Sequence, residues 1–140
     1  MTGPREITVA VDVMSGDNGP EVFMPAVLSA LKKRPHLTIL AVGDQNVIEP
    51  LVRESEPYRS GRLVIKHASE VVEMDERPQS ALRNKRDSSM RVAINCVKEG
   101  LADSCMSAGN TGALMATARF VLKMLPGIER PAICTSIPSM

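Results

Sequence analysis

Aromatic side chains are almost absent from this 140-residue chain, which has no tryptophan, one tyrosine and two phenylalanines. A core must therefore be built from valine, leucine, isoleucine, alanine and methionine. Binding of single-stranded nucleic acid by stacking needs aromatic platforms. A net charge of +1 gives no bulk attraction to a phosphate backbone. Both deficits argue against nucleic acid as a partner.

The chain also lacks the sequence features of secretion and membrane insertion. Its opening residues, Met-Thr-Gly-Pro-Arg-Glu, contain no apolar segment of the signal-peptide type. No run approaches the ~20 apolar residues that a membrane-spanning helix requires. We therefore expect a cytoplasmic protein, and 140 residues fit one compact domain. Because the chain stops immediately after a predicted strand, we expect it to be incomplete.

Metal and nucleotide signatures are missing as well. Cys96, Cys105 and Cys134 stand in apolar runs without CxxC spacing, and His36 and His67 are isolated. The sequence therefore predicts no metal site, and it predicts that the cysteines are buried and reduced. Neither the dinucleotide fingerprint G-x-G-x-x-G nor a P-loop with its lysine occurs, which disfavours a nucleotide-binding domain. No cofactor is implied.

Apolar runs alternate with helical segments along the chain, which predicts a mostly parallel sheet with helices on both faces. Proline is expected in the first turn of a helix only, and this places Pro25 at the start of the first helix. Strands are predicted at 7–13, 37–42, 63–68, 102–106 and 132–137. Helices are predicted from 23 or 24 to 33, at 47–54 with a possible start at Pro50, at 78–84, from 88 or 89 to 99, and at 113–124.

The most informative segment is 107–114, Ser-Ala-Gly-Asn-Thr-Gly-Ala-Leu, a turn between a strand and a helix. First-turn helix amides lack intrahelical acceptors and lie at the positive end of the dipole, so such a turn binds anions, phosphate above all. Gly109 and Gly112 permit positive φ and close approach of a ligand. Asn110 and Thr111 add hydrogen-bonding side chains. A helix cap is the simpler interpretation, but this composition exceeds what a cap requires.

A second glycine-containing loop follows the first strand and carries Asp12, Asp17 and Gly19. Ligands of open parallel sheets bind at the carboxyl ends of strands, near a switch in strand order. Both loops are therefore candidate site loops. Aspartate in a turn usually caps a helix or bends the chain. The alternative is a carboxylate that handles a proton or orients a ligand.

Basic residues cluster between two predicted helices, at Arg83, Lys85, Arg86 and Arg91. A solvated loop is the simpler interpretation. The alternative is that these side chains, together with a helix N-terminus at Ser88, meet a phosphate or an acidic protein partner. Arg130, in a later turn, either pairs with a nearby acid or points into the site.

Four segments occur in order, at 11–20, 85–90, 107–114 and 127–132, and together they resemble the PlsX family of phosphate acyltransferases of bacterial phospholipid synthesis. The resemblance runs from about residue 7 to the end and covers only the amino-terminal part of such an enzyme. It implies a Rossmann-like three-layer α/β/α sandwich related to isocitrate dehydrogenase. Ser15 stands where the family more often has glycine, and Arg86 where lysine is frequent. A serine at position 15 would be strained if its φ were positive.

The resemblance implies transfer of a fatty acyl group from acyl carrier protein to inorganic phosphate, giving acyl phosphate. It also implies a homodimer at the membrane surface, in contact with the membrane or a membrane acyltransferase. The alternatives are a phosphotransacetylase-like enzyme acting on acyl-CoA, or a non-catalytic fragment that binds phosphate or carrier protein.

Each candidate residue takes a role under this hypothesis. The catalytic candidates are Asp12, Asp17, Lys85 and Asn110. The phosphate ligands are Ser107, Gly109, Asn110, Thr111, Gly112 and Arg130. An acidic carrier protein would be steered by a basic rim of Arg83, Lys85, Arg86 and Arg91.

Overall fold

The computed structural model describes residues 5–138, which form four strands and six helices. The elements are β1 Ile7–Asp12, α1 Gly19–Lys33, β2 Leu37–Gly43, α2 Gln45–Val52, α3 Glu56–Arg59, β3 Leu63–His67, α4 Pro78–Asn84, α5 Ser89–Lys98, β4 Ser104–Ser107 and α6 Thr111–Leu122.

The four strands form one parallel sheet in the order β3-β2-β1-β4. The chain steps outward from β1 through β2 to β3, and then returns to the other side of β1 with β4. The strand order therefore reverses between β1 and β4, and this is where open α/β sheets bind ligands. The predicted α/β sandwich with a parallel sheet is confirmed.

Alternate side chains of the sheet enter two separate cores, as the twofold repeat of a strand requires. On one face, Val11 and Ile39 pack with Met24 and Leu31 of α1. The opposite face carries smaller side chains, and there Ala10 packs with residues of α5. The cluster on this second face contains Ala10, Val42, Ala68, Val92, Ala93, Cys96 and Ala102. Helices thus cover both faces, as expected from strands that are apolar on both sides.

Two helix starts differ from the prediction because proline is tolerated within these helices. α1 begins at Gly19, with Pro20 in its first turn, and not at residue 23 or 24. Pro25 lies inside α1, contrary to prediction. Its side chain is exposed, as is Glu21, whose carbonyl loses an amide partner and can bond water instead. α2 begins at Gln45 and not at residue 47 or Pro50, because the Asp44 carboxylate caps it by accepting from the Asn46 amide.

The remaining boundaries depend on caps and lie close to the predicted ones. α4 spans the predicted residues, and α5 begins after Ser88, whose hydroxyl accepts from the Arg91 amide. Gly100, with a φ of 74°, follows the end of α5 as predicted. α6 begins at Thr111, two residues before the predicted start, because the Asn110 side chain caps it. The short helix α3 was not predicted.

The predicted fifth strand at 132–137 is wrong. These residues form neither strand nor helix, and Ile133 and Ile137 are 68% and 82% exposed. A β-strand exists only when a neighbouring strand pairs with its backbone, and nothing in residues 5–138 pairs with this segment. Cys134 lies here and is exposed, so the expectation that all three cysteines are buried is also wrong. Among the residues described, no helix combines the length and apolar character needed to cross a membrane.

Candidate functional site

The ends of β1 and β4 are joined by a buried carboxylate. Asp12 and Ser107 are register partners at the carboxyl edge of the sheet, and Asp12 is fully buried. Its Oδ2 accepts a hydrogen bond of 2.7 Å from the Ser107 hydroxyl, and its Oδ1 accepts from the amides of Met14 and Ser15 at 3.3 and 3.2 Å. The Ser107 hydroxyl in turn accepts from the Gly109 amide at 3.1 Å. Asp12 therefore joins the two site loops, and both of its carboxylate oxygens are engaged by these bonds.

Glycine is needed in the Ser107 turn for close packing and not for an unusual φ. A Cβ at Gly109 would lie 2.6 Å from the Ser15 Cβ, and a Cβ at Gly112 would lie 3.0 Å from the Pro78 Cγ. The positive φ values in the two site loops belong to Gly16 and Gly19, at 98° and 61°. Ser15 does not have positive φ. The serine that distinguishes this chain from the family pattern is therefore not strained.

The first turn of α6 presents open backbone amides at this edge. The Ala113 amide is bonded to Asn110 Oδ1 at 3.0 Å, and the Leu114 amide to the Asn110 carbonyl at 2.9 Å. The amides of Thr111 and Gly112 have no acceptor within residues 5–138, and both residues are exposed. Two donors at the positive end of a 12-residue helix can bind an anion.

The Asn110 side chain joins α6 to the loop that precedes α4. While its Oδ1 caps α6, its Nδ2 donates to the carbonyls of Glu73, Met74 and Glu76 at 3.3, 3.1 and 2.8 Å. We call residues 71–76 the strap, because they are held across the start of α6. Both ends of the amide are engaged in this way. Asn110 thus holds the strap in this structure, and the phosphate contact predicted for its side chain stays a prediction.

Lys85 holds the same strap from the other side. Its Nζ forms an ion pair with Glu76 Oε2 at 2.8 Å and donates to the Val71 carbonyl. The hydrogen bond from Lys85 holds the pKa of Glu76 below its ordinary value. Both side chains are mostly buried, with 26% and 15% of their surfaces exposed. Part of the Lys85 charge is therefore offset inside the protein.

The other predicted site residues are not bonded to the Ser107 turn. Asp17 and Arg130 are exposed, and no hydrogen bond or ion pair among residues 5–138 joins either side chain to the Ser107 turn. Arg83 and Arg86 are exposed on α4 and just beyond it. Arg91 is half-buried, and its guanidinium lies over the Phe120 ring at 5.3 Å. The rim predicted from the sequence is thus split, and only part of it faces solvent.

The cysteine thiols near β4 are not activated. Cys105 lies two residues before Ser107, and burial raises its pKa. Burial likewise raises the pKa of Cys96, which belongs to the core under α5. Both stay protonated thiols at neutral pH, so neither is poised as a nucleophile.

Sequence reasoning missed the strap and the two side chains that hold it. Glu76 and Val71 belong to no recognisable motif, and their partners Lys85 and Asn110 are separated from them by loops or helices. Only the caps had a local signal, in Asn110 and Ser88. Ser15, which packs against Gly109, was noted as a departure from the family pattern and not as a contact.

The chain is an α/β domain with a parallel sheet. Two loops meet at its switch point beside an open helix N-terminus, which is the arrangement at which domains of this class bind anions. A family model described as fatty acid synthesis protein matches residues 7–140. The chain belongs to this family, the PlsX family whose motifs it carries.

Curated relatives named phosphate acyltransferase match almost the whole chain. The Methylococcus capsulatus protein is 56% identical over 133 residues, which are 95% of this chain and 39% of the relative. The protein of Legionella pneumophila strain Paris is 56% identical over 136 residues, 97% of this chain and 40% of the relative. That of Coxiella burnetii strain RSA 493 is 59% identical over 133 residues, 94% of this chain and 39% of the relative. The chain spans about two-fifths of the length of these relatives.

Proposed function

We propose that this chain supplies the phosphate-binding part of a phosphate acyltransferase that moves a fatty acyl group from acyl carrier protein to inorganic phosphate. The observation that carries the proposal is the pair of open amides, Thr111 and Gly112, at the switch point of the sheet. Membership of the family and relatives named phosphate acyltransferase support it. The name of these relatives gives phosphate as the acyl acceptor. Acyl carrier protein as the acyl donor is inferred from the family resemblance.

The reaction needs no protein nucleophile. A phosphate oxygen attacks the thioester carbonyl carbon, the carbonyl oxygen becomes an oxyanion, and the carbon–sulfur bond then breaks. The sulfur leaves with the bonding electron pair and takes up a proton as the carrier thiol, while the acyl group stays on phosphate as acyl phosphate. Such a reaction depends on placing the two reactants together and on donors directed at the developing charge.

The contacts of the site support a division of roles. The amides of Thr111 and Gly112 bind phosphate, and the Asp12–Ser107 pair keeps the turn in shape. Asn110 and Lys85 act as positioning residues through the strap, and Lys85 also contributes positive charge. Arg130 supplies a further cation, and Asp17 orients a bound group. These last two roles come from the family motif and from the loops that carry these residues.

Removing one backbone amide tests the phosphate site directly. Thr111 is the first residue of α6, where proline is tolerated, and Asn110 has a φ of −58° and a ψ of 109°, which suit a residue before proline. Thr111→Pro should weaken phosphate binding by about 1.5–3 kcal/mol, the contribution of a hydrogen bond to a charged group. The control, Thr111→Ala, keeps the amide and should bind nearly as the wild type does. Titration calorimetry with inorganic phosphate makes the measurement, and equal affinities in all three proteins would remove the basis of the site.

Activity is tested by phosphate-dependent acyl transfer. The 140-residue chain, and the same chain extended to the length of its relatives, are each supplied with acyl carrier protein thioester or with acyl-CoA, and acyl phosphate is measured. We expect product from the carrier thioester in the longer protein. Product from acyl-CoA alone would favour the phosphotransacetylase-like alternative. Phosphate binding without product in either protein would favour a non-catalytic binding module.

Assembly and location belong to the same proposal. We infer from the family resemblance that the chain is the amino-terminal portion of a longer enzyme, cytoplasmic, homodimeric, and in peripheral contact with the membrane or a membrane acyltransferase. Sedimentation of the extended protein measures the dimer. Flotation with lipid vesicles measures the membrane contact, and a monomer that remains with the soluble fraction would contradict both.

A further inference from the structure

We propose that the exposed face of α4 is the surface on which the acidic carrier protein docks, an inference that rests on the proposed function. We call this surface the α4 basic face. It consists of Arg77, Gln79, Ser80, Arg83 and Asn84, together with Arg86 just beyond the end of the helix.

The charged residues in the segment that forms this face are all basic. Residues 77–86 contain four basic side chains and no acidic one. Lys85 turns inward to Glu76, which leaves Arg77, Arg83 and Arg86, all exposed. None of these three arginines forms an ion pair within residues 5–138. The face therefore presents three arginine charges to solvent.

The acids at both ends of the segment are occupied by internal partners. Glu76 is held by Lys85 at 2.8 Å. Asp87 accepts from the Ser69 hydroxyl at 2.6 Å and from the Ser69 amide at 2.9 Å, and these bonds lower its pKa. Both carboxylates stay ionised but are already paired with internal donors. Neither carboxylate forms an ion pair with an arginine of the α4 basic face.

The shape and chemistry of the face fit acidic protein side chains. Arg77 and Arg83 flank a shallow cleft of about 350 Å³, whose remaining lining is Gln79, Ser80 and Asn84. Arginine binds carboxylates through two parallel hydrogen bonds, and the amide and hydroxyl groups add further donors and acceptors. The lining contains no large apolar side chain, which a membrane-inserting helix would need. A protein rich in Asp and Glu is therefore the occupant to which this chemistry points.

The face also lies beside the open amides. Pro78, the first residue of α4, packs against Gly112 so closely that a Cβ at Gly112 would lie 3.0 Å from its ring. Asn110 ties the strap before α4 to the start of α6. A carrier protein held on α4 would consequently present its thioester next to the position proposed for phosphate. Arg77, which belongs to none of the sequence motifs, becomes a central contact.

The test compares charge reversals at the two ends of the sheet. The double variant Arg77→Glu, Arg83→Glu changes the α4 basic face. The matched control Lys33→Glu, Arg53→Glu makes the same change in net charge. Both residues are exposed, and they lie at the C-terminal ends of α1 and α2, at the opposite edge of the sheet. Acyl carrier protein binding is measured by titration in low salt and in high salt, and phosphate binding is measured in parallel. Circular dichroism verifies that each variant is folded.

We expect the α4 variant to bind carrier protein about tenfold or more weakly at low salt, with a smaller difference at high salt because the attraction is screened. Its phosphate affinity should fall by a smaller factor than its carrier affinity and should approach the wild-type value at high salt, because phosphate binds beside the face and not on it. The carrier affinity of the control should stay within about twofold of the wild type. If the charge reversal unfolds the chain, the double variant Arg77→Gln, Arg83→Gln removes the positive charge without adding repulsion. It should also bind carrier protein more weakly than the control does.

Equal losses in the α4 variant and in the control would overturn the inference, as would unchanged carrier affinity. Loss of binding to vesicles of phosphatidylglycerol and phosphatidylcholine, with carrier binding intact, would assign the face to a membrane instead and would also overturn it. The proposed function fails separately. Carrier docking that depends on α4 without any acyl phosphate formation would refute the reaction and leave the docking surface standing.

Discussion

Asn110 makes two kinds of contact, and substitution can separate them. Its Oδ1 caps α6, while its Nδ2 lies within hydrogen-bonding distance of three carbonyls of the strap. Loss of a helix cap costs about 1 kcal/mol. The amide has two protons, so at most two of the three carbonyls are well bonded at once, at about 0.5–1.5 kcal/mol each. Asn110→Ala should therefore lower the free energy of unfolding by about 2–4 kcal/mol.

Asn110→Ser is the matched variant, because serine is as good a cap as asparagine but cannot reach the strap. Its loss should be about 1–3 kcal/mol, smaller than that of Asn110→Ala by the value of the cap. Asn110→Asp should also keep the cap, but it places a carboxylate against the carbonyls of Glu73, Met74 and Glu76. Aspartate should therefore be less stable than serine at this position, although both are good caps.

Urea unfolding followed by far-ultraviolet circular dichroism measures these free energies, since the chain has no tryptophan to report by fluorescence. Amide hydrogen exchange in residues 71–76 should increase in all three variants, while exchange in α6 should increase mainly in Asn110→Ala. If the unfolding free energy of Asn110→Ala stays within about 0.5 kcal/mol of the wild type, the contacts of Asn110 do not stabilise the protein. If serine and alanine are equally destabilising, the cap makes no contribution.

Three further predictions concern the packing and charges around the same turn. Gly109→Ala places a Cβ 2.6 Å from that of Ser15 and should lower the free energy of unfolding by about 1–3 kcal/mol. Ser15→Gly in the same chain should restore part of this loss. Additive losses in a double-mutant cycle would contradict the contact. Asp12→Asn keeps the shape of the side chain but removes one acceptor and the charge from a buried network. Thermal unfolding should show a loss of about 1–3 kcal/mol of unfolding free energy. An unchanged Tm would mean that the amide satisfies the network equally well. Because the folded-state pKa of Glu76 is lowered, its ion pair with Lys85 stabilises the protein above about pH 4.5, and this stabilisation is lost as the pH falls through the folded-state pKa. Glu76→Gln should therefore make the free energy of unfolding less dependent on pH in that range. Parallel pH profiles of the variant and the wild type would show that the ion pair is not responsible.

Much of the architecture was predictable because it depends on local rules. Parallel strands that are apolar on both faces require helices on both sides, and four of the five predicted strands are present. Ser88 was predicted as a cap from its position before an amphipathic run, and the structure shows its hydroxyl on the Arg91 amide. The sequence also predicts that the Asp12 loop and the Ser107 turn lie at the same edge of the sheet, because the carboxyl ends of parallel strands meet there. The pairing of β1 with β4 is what makes them neighbours.

The failed predictions concern residues whose conformation depends on their surroundings in the folded protein. Residues 132–137 have the composition of a strand, yet β-structure needs a second backbone to pair with, and propensity alone does not supply one. Pro25 was placed in a first turn because a proline removes one amide from a helix. The helix nevertheless extends for six residues before it, on a side where water can replace the lost bond.

By itself, the sequence determined the order of strands and helices along the chain, the edge of the sheet at which the candidate site lies, and the glycines and caps of the Ser107 turn. These features follow from backbone sterics and from hydrogen bonds that close within a few residues. Only the tertiary structure decided that Lys85 turns inward to Glu76, that Asn110 holds the strap, and that Arg77 joins the exposed basic face. Such pairings join groups from separate elements, and their partners are chosen by how the helices pack on the sheet, which no local pattern of residues encodes.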